Sequence, residues 1–169
     1  MLVSGSAENM RDTSMIKRVF LLALLIFPLL ADAAGAGAAG FSFTDIQGGN
    51  HTLAGYQGKW VLLNVWSTAN PSCLLEIPEL ETLSKSRKDL VVLGLAVDGQ
   101  NPRKVAQFIG KLTVTYPIIA GNQKQAKQFD IRSYPTSILY DPSGKQVLFH
   151  EGIGAKKDIE SLLSGNAVK

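Results

Sequence analysis

The sequence predicts an α/β domain built on a central mixed sheet flanked by helices. Nearly continuous apolar runs at residues 60–66 and 90–97 indicate strands that are covered on both faces. Helical spacing of apolar residues begins between them, at Asn70-Pro71, and two strands joined through a helix form a right-handed parallel unit. A turn sequence at 141–144 joins two later strands as an antiparallel pair, so the sheet is expected to be mixed.

The first forty residues are expected to lie outside this domain. A basic pair precedes a twelve-residue apolar segment at 19–30, and small residues follow it, which is the pattern of a secretory signal peptide cut near Ala33. The apolar segment is shorter than the ~20 residues that a membrane span needs. We therefore predict a signal peptide over 1–33 and a flexible leader of alanine and glycine over 34–40.

A cleaved signal peptide implies export, and we expect the bacterial periplasm and no stable membrane span. The alternative is a retained signal that anchors the protein in the inner membrane, facing the periplasm. The net charge of +3 is scattered, and no basic run is interleaved with aromatic residues, so nucleic acid is not an expected partner. Cys73 is the only cysteine, which excludes an internal disulfide. No metal or cofactor is expected, and the sequence leaves the oligomeric state open.

The folded domain is expected to span residues 41–165, with a tail over 166–169. An added N-terminal hairpin is predicted from the alternating segment 41–46, a glycine turn and a return strand at 51–53. His51 in this hairpin is expected to be solvated. Pro78 is expected to kink the first helix, because proline lacks the N–H that a helix interior uses. The remaining elements are a helix at 102–112, a strand at 116–119, a short helix at 123–129, hairpin strands at 136–140 and 146–150, and a final helix at 156–163.

Four short segments carry a pattern that recurs in one family of proteins. The first is Phe43-Thr44-Asp45, taken together with Leu53 and Gly58-Lys59. The other three are Asn64-Val65-Trp66, the segment from Cys73 through Glu76 to Pro78, and Tyr134-Pro135-Thr136. Together they resemble the periplasmic and membrane-associated thiol-disulfide oxidoreductases of the TlpA and ResA type, over residues 41–163. The resemblance implies a thioredoxin-like fold, an active-site turn after Trp66 and a cis-proline loop at Pro135.

The active-site turn departs from the family's pattern at one decisive place. The family carries Trp-Cys-x-x-Cys, and the matching residues here are Ala69, Asn70, Pro71, Ser72 and Cys73. The resemblance thus places Asn70 where the attacking cysteine is expected. Asparagine can cap a helix, but it can neither attack a disulfide nor resolve one. We therefore predict that dithiol exchange is lost.

Two residues are the candidates for any remaining catalysis. Cys73 is expected near the third helical position, where the helix dipole lowers the pKa of a thiol while burial and a nearby carboxylate raise it. Glu76 lies three residues on, on the same helical face, and the resemblance implies that it donates or accepts a proton. The predicted substrate-binding residues are Trp66, Asn70, Pro71, Tyr134 and Pro135.

Three functions follow from these residues. The first, which the sequence favours, is a single-thiol variant in which Cys73 forms mixed disulfides with protein or small-molecule thiols. The second is a catalytically silent binding protein that keeps the groove around Pro135. The third is a one-cysteine peroxidase, because the peroxiredoxin pattern places threonine where Asn70 stands and its reactive cysteine where Cys73 stands. That pattern begins with a proline, and the residue here is Trp66.

Overall fold

The structure is a computed structural model that describes residues 40–165. This part of the chain contains seven strands and four α-helices. The predicted signal peptide, the leader up to residue 39 and the tail lie outside the described residues. In chain order the elements are β1 (Ser42–Thr44), β2 (Asn50–Thr52), β3 (Trp60–Trp66), α1 (Pro71–Ser86), β4 (Leu90–Ala96), α2 (Pro102–Gly110), β5 (Ile118–Ala120), α3 (Gln123–Lys127), β6 (Thr136–Tyr140), β7 (Gln146–Glu151) and α4 (Lys156–Leu163).

The main sheet has five strands in the order β5-β4-β3-β6-β7. Strand β3 is parallel to β4, which is parallel to β5, and this half of the sheet contains the predicted parallel unit. Strands β6 and β7 continue the sheet in antiparallel pairing on the other side of β3. The predicted α/β class and the mixed sheet are confirmed. Strands β1 and β2 pair separately, as the expected N-terminal hairpin.

Strand β3 is the centre of the core because its side chains are buried on both faces of the sheet. Leu62 and Trp66 pack on one face against apolar residues of α1, α2 and α4. Val61, Leu63 and Val65 pack on the other face, with the N-terminal hairpin and α3. This two-sided burial explains why the strand shows an almost continuous apolar run rather than an alternating pattern.

Helix α1 begins where the sequence predicts, at Pro71, with Asn70 as its N-cap. Proline is favoured at the first helical position because its missing N–H would have no partner there. The helix continues to Ser86 with Pro78 inside it, and Thr82 Oγ1 donates a hydrogen bond of 3.0 Å to the Pro78 carbonyl. No helix within residues 40–165 is both long and apolar enough to cross a bilayer.

One expectation about the hairpin is wrong: His51 is buried rather than solvated. Its Nδ1 is hydrogen-bonded to the Tyr56 hydroxyl, and its Nε2 lies 2.8 Å from Asp45 Oδ2. The pairing of β1 with β2 brings Asp45 close to His51, and the short 3-10 turn after β2 brings Tyr56. These two partners compensate for the water that the imidazole loses on burial.

Candidate functional site

The turn between β3 and α1 lies at the carboxyl edge of the parallel strands, and Asp98 holds it in place. Asp98 follows β4, the neighbour of β3 in the sheet. Its carboxylate accepts hydrogen bonds from Ser67 Oγ at 3.0 Å, from Thr68 Oγ1 at 2.6 Å and from the Thr68 backbone N–H at 3.1 Å. Burial raises the pKa of Asp98, but these hydrogen bonds outweigh it and hold that pKa below its usual value.

Asn70 joins the first turn of α1 to the loop before β6. Its Oδ1 accepts the backbone N–H of Ser72 at 2.9 Å, which caps the helix. Its Nδ2 donates to the backbone carbonyl of Tyr134 at 2.8 Å. The Tyr134–Pro135 peptide bond is cis, as the family resemblance implies. Both polar ends of the Asn70 amide are therefore used, one for the helix and one for the cis-proline loop.

Cys73 is the third residue of α1, and its side chain has no exposed surface. The thiol packs in the core cluster that includes Trp66 and Ile77. Burial raises the pKa of Cys73, and the negative charges of Glu76 and Asp98 raise it further, while a backbone hydrogen bond from Ser67 opposes them. The thiol is therefore protonated at neutral pH.

Glu76 is also buried, with 2% of its surface exposed. Asn64 Nδ2 donates to Glu76 Oε2 at 2.8 Å and lies 3.2 Å from Ser137 Oγ, so three elements meet at this carboxyl group. Burial raises the pKa of Glu76, and the hydrogen bond from Asn64 and the nearby ring of His150 offset only part of that effect. Glu76 is thus a core residue and not a solvated side chain on the helix surface.

The predicted substrate-binding residues differ in how much surface they offer. Trp66 is fully buried and its ring stacks on Phe108 at a centroid distance of 5.6 Å, so its assignment to a substrate surface needs correction. Asn70 and Tyr134 are half-buried, Pro71 is exposed and Pro135 is buried. Trp66 supports the turn from the core side, since it is the last residue of the central strand.

Two residues that sequence reasoning missed belong to this site. Asp98 restrains the turn, and the only signal for it was its place directly after a buried parallel strand. Asn64 fixes the Glu76 carboxyl group, and its signal was a lone amide inside an apolar strand. Among residues 40–165, no three His, Cys, Asp or Glu side chains are grouped to hold a metal ion.

The sequence and the fold of this chain match those of known proteins. A sequence model described as the AhpC/TSA family matches residues 34–147, more than half of the chain. The chain belongs to the AhpC/TSA family. It is 34% identical over 132 residues to the thiol-disulfide oxidoreductase ResA of Geobacillus kaustophilus, an alignment that covers 77% of this chain and 76% of ResA.

Further relatives of this AhpC/TSA family member agree with the predicted resemblance. The thioredoxin-like protein YneN of Bacillus subtilis is 30% identical over 132 residues, covering 76% of this chain and 78% of YneN. The crystal structure of an exposed lipoprotein thioredoxin from Streptococcus pneumoniae superimposes with a TM-score of 0.65 at 27% identity, covering 75% of this chain and 99% of that protein. The thioredoxin-like fold and the relation to thiol-disulfide oxidoreductases are thereby confirmed.

The site of this family member is poorly suited to thiolate chemistry. Disulfide exchange requires a thiolate that can reach a sulfur atom of the substrate. Here the one thiol is enclosed, its pKa is raised, and both charges that act on it, Glu76 and Asp98, are negative. The arrangement can hold a proton on Cys73 and keep the cis-proline loop in place, but it presents no thiol to the surface.

Proposed function

We propose that this protein is an exported, thioredoxin-like binding protein of the thiol-disulfide oxidoreductase family that has lost dithiol exchange. The observation that carries the proposal is the hydrogen bond from Asn70 Nδ2 to the Tyr134 carbonyl, at the head of the helix that contains Cys73. Asn70 stands three residues before Cys73, where the family's pattern has its attacking cysteine. The amide keeps the helix cap and ties the turn to the loop, but it cannot attack a disulfide.

Cys73 is proposed to be a structural thiol. A buried cysteine without a cationic neighbour behaves as a small apolar side chain, and its reactivity falls with its thiolate fraction. Burial raises the pKa of Cys73, and the backbone hydrogen bond from Ser67, which lowers that pKa, is too weak to offset the effect of burial. A substrate disulfide would also have to open the packing around Cys73 to reach the sulfur.

The function that remains is binding of an extended polypeptide along the loop before Pro135. The backbone N–H of Tyr134 has no acceptor among the described residues, and its carbonyl oxygen keeps one lone pair beside the bond from Asn70. An extended chain could pair with both groups in the manner of an added strand. Export is supported by the signal pattern over residues 1–33, which lies outside the described residues.

Single-thiol chemistry is the second candidate, and the position of Cys73 favours it. The third residue of a helix receives the field of the helix dipole, and the Ser67 backbone lowers the pKa of Cys73 against the effect of burial. Mixed-disulfide formation would then need a transient opening of the turn. A peroxidase has no comparable support, because the charges that act on the thiol are carboxylates.

A thiol titration separates these functions. The folded protein is mixed with an excess of a chromogenic disulfide reagent, and the release of its thiolate is followed before and after addition of denaturant. We expect the thiol of the folded protein to remain unreacted over the period in which the thiol of the unfolded protein reacts completely. A folded thiol that reacts as fast as a small free thiol would overturn the structural role of Cys73 and establish the single-thiol function. A Cys73→Ala variant gives the background.

Insulin reduction tests the loss of exchange. The wild-type protein should show no turnover above the Cys73→Ala variant, and Asn70→Cys should raise the rate, because a second thiol then stands three residues before Cys73 on the same helical turn. Wild-type turnover at the rate of a dithiol enzyme would contradict the proposed role of Asn70.

A further inference from the structure

One stretch of this chain contains basic residues but no acidic ones. Residues 99–129 contain five lysine and arginine residues and no aspartate or glutamate, although the net charge of the whole chain is only +3. All five side chains are exposed, and no ion pair joins any of them to a described residue. They are Arg103, Lys104, Lys111, Lys124 and Lys127.

Part of this charge surrounds a depression next to the active-site turn. The depression has a volume of about 260 Å³ and is lined by Thr68 of the turn and by Lys104, Gln107, Phe108 and Lys111 of the α2 segment. Residues at these spacings share one side of a helix, so both amines and the Gln107 amide border the same space. The half-buried ring of Phe108, which stacks on Trp66, gives it an apolar wall.

The depression lies close to the loop before Pro135, where the proposed function places the bound polypeptide. Thr68 lies two residues before Asn70 and is held by Asp98. Gln123, the first residue of α3, accepts a hydrogen bond of 3.2 Å from the Tyr134 hydroxyl. The two helices that carry the basic residues therefore flank the turn and the cis-proline loop at the carboxyl edge of the parallel strands, where α/β folds bind ligands.

We propose that this basic depression binds an acidic segment of the same extended polypeptide that pairs with the loop before Pro135, so the inference rests on the proposed function and adds the chemistry of the partner. Unpaired, exposed amines attract carboxylates and fix the register of a bound chain. The carboxylate next to the depression, Asp98, already accepts three hydrogen bonds from Ser67 and Thr68, which reduces its repulsion of an incoming acid.

A polypeptide fits this surface better than a bilayer or a nucleic acid does. A membrane-binding surface mixes protruding apolar residues with its basic ones. The exposed large apolar side chains among residues 40–165 are Leu75, Phe149 and Ile153, and none of them lines the basic depression. Nucleic-acid single strands bind on successive aromatic platforms, whereas the depression offers one ring, Phe108.

The test uses two labelled peptides without cysteine, one with a glutamate run beside an apolar extended segment and a twin with glutamine in place of each glutamate. Binding is followed by fluorescence anisotropy with the wild-type protein and the double variant Lys104→Glu/Lys111→Glu. The control is Lys59→Glu/Lys157→Glu, which makes the same change in net charge at exposed positions, Lys59 before β3 and Lys157 in α4.

We expect the glutamate peptide to bind wild-type and control protein alike, and the Lys104/Lys111 variant roughly tenfold or more weakly. Its affinity should fall with added salt, whereas the twin should bind weakly to all three proteins. Equal losses in both variants, or equal binding of the two peptides, would overturn the inference. Equal binding of the two peptides would leave the proposed function standing. If neither peptide bound, both the inference and the proposed function would fail. Lysine-dependent binding of anionic vesicles or of an oligonucleotide would then assign the depression to another partner.

Discussion

The double role of Asn70 makes a quantitative prediction for the variant Asn70→Ser. Serine caps a helix about as well as asparagine, so the bond to the Ser72 N–H is kept. The donor to the Tyr134 carbonyl is lost, because a serine side chain is shorter than the asparagine amide and its oxygen stays at the Ser72 N–H. A hydrogen bond of this kind contributes about 0.5–1.5 kcal/mol net. We therefore expect the free energy of unfolding to fall by about 1 kcal/mol.

The chain contains a matched control for this variant. Asn101 precedes a proline, as Asn70 does, and caps α2 by accepting the Lys104 N–H at 3.3 Å. Unlike Asn70, it donates no side-chain hydrogen bond to another described element. Asn101→Ser should change the free energy of unfolding by only a few tenths of a kcal/mol. The difference between the two variants isolates the bond to the cis-proline loop from the cap.

Urea unfolding at neutral pH measures this difference. With a slope of roughly 1–3 kcal/mol per M, a loss of about 1 kcal/mol moves the midpoint by about 0.3–1 M. The slope itself should not change, because neither variant alters the surface that is exposed on unfolding. If Asn70→Ser and Asn101→Ser shifted the midpoint equally, the bond to Tyr134 would contribute nothing, and Asn70 would be only a helix cap.

Two further predictions concern the carboxyl groups of buried Glu76 and half-buried Asp98. Because burial raises the pKa of Glu76, its contribution to stability is fully present below the ordinary glutamate pKa of 4.5 and is lost as pH rises through the folded-state pKa. Glu76→Gln can still accept the hydrogen bond from Asn64. The variant should therefore gain stability relative to wild type as pH rises, by at most about 1.4 kcal/mol per pH unit. A difference in urea unfolding that does not change with pH would contradict the raised pKa. The hydrogen bonds from Ser67 and Thr68 lower the pKa of Asp98, and Asp98→Asn should weaken them and reduce the free energy of unfolding by about 1–2 kcal/mol at neutral pH. The difference in unfolding free energy between wild type and variant should shrink as pH falls below 3.8. A difference that stayed constant with pH would contradict the lowered pKa.

Local signals in the sequence were sufficient for most of the fold. The apolar run at Trp60–Trp66 coincides with β3, and Asn70-Pro71 marks the start of α1. The turn before β7 has Gly144 at a φ of 83°, as its sequence requires. These features depend on neighbours along the chain, which is why residue type and spacing predict them.

The contacts that define the site join residues that are far apart in the sequence. Asp98 lies 30 residues after Thr68, and Tyr134 lies 64 residues after Asn70. The burial of Trp66 likewise depends on Phe108 from a later helix. No spacing rule connects such pairs. The sequence therefore predicts Asn70 at the place of the attacking cysteine, but not the hydrogen bond by which Asn70 joins the helix to the cis-proline loop.

Burial of Cys73 is compatible with both its inertness and the expected effect of Asn70→Cys. An external reagent must reach the sulfur through the first turn of α1, where no surface of Cys73 is exposed. A resolving thiol needs no such access, because it attacks a sulfur bonded to a residue on its own helical turn, and positions 70 and 73 are neighbours at that spacing. A buried Cys73 is thus what we expect of a resolving thiol whose attacking thiol, at position 70, is absent. An Asn70→Cys variant that gained insulin reduction, beside a wild-type thiol that stayed unreactive, would show that the absence of a cysteine at position 70, and not the burial of Cys73, silences this site.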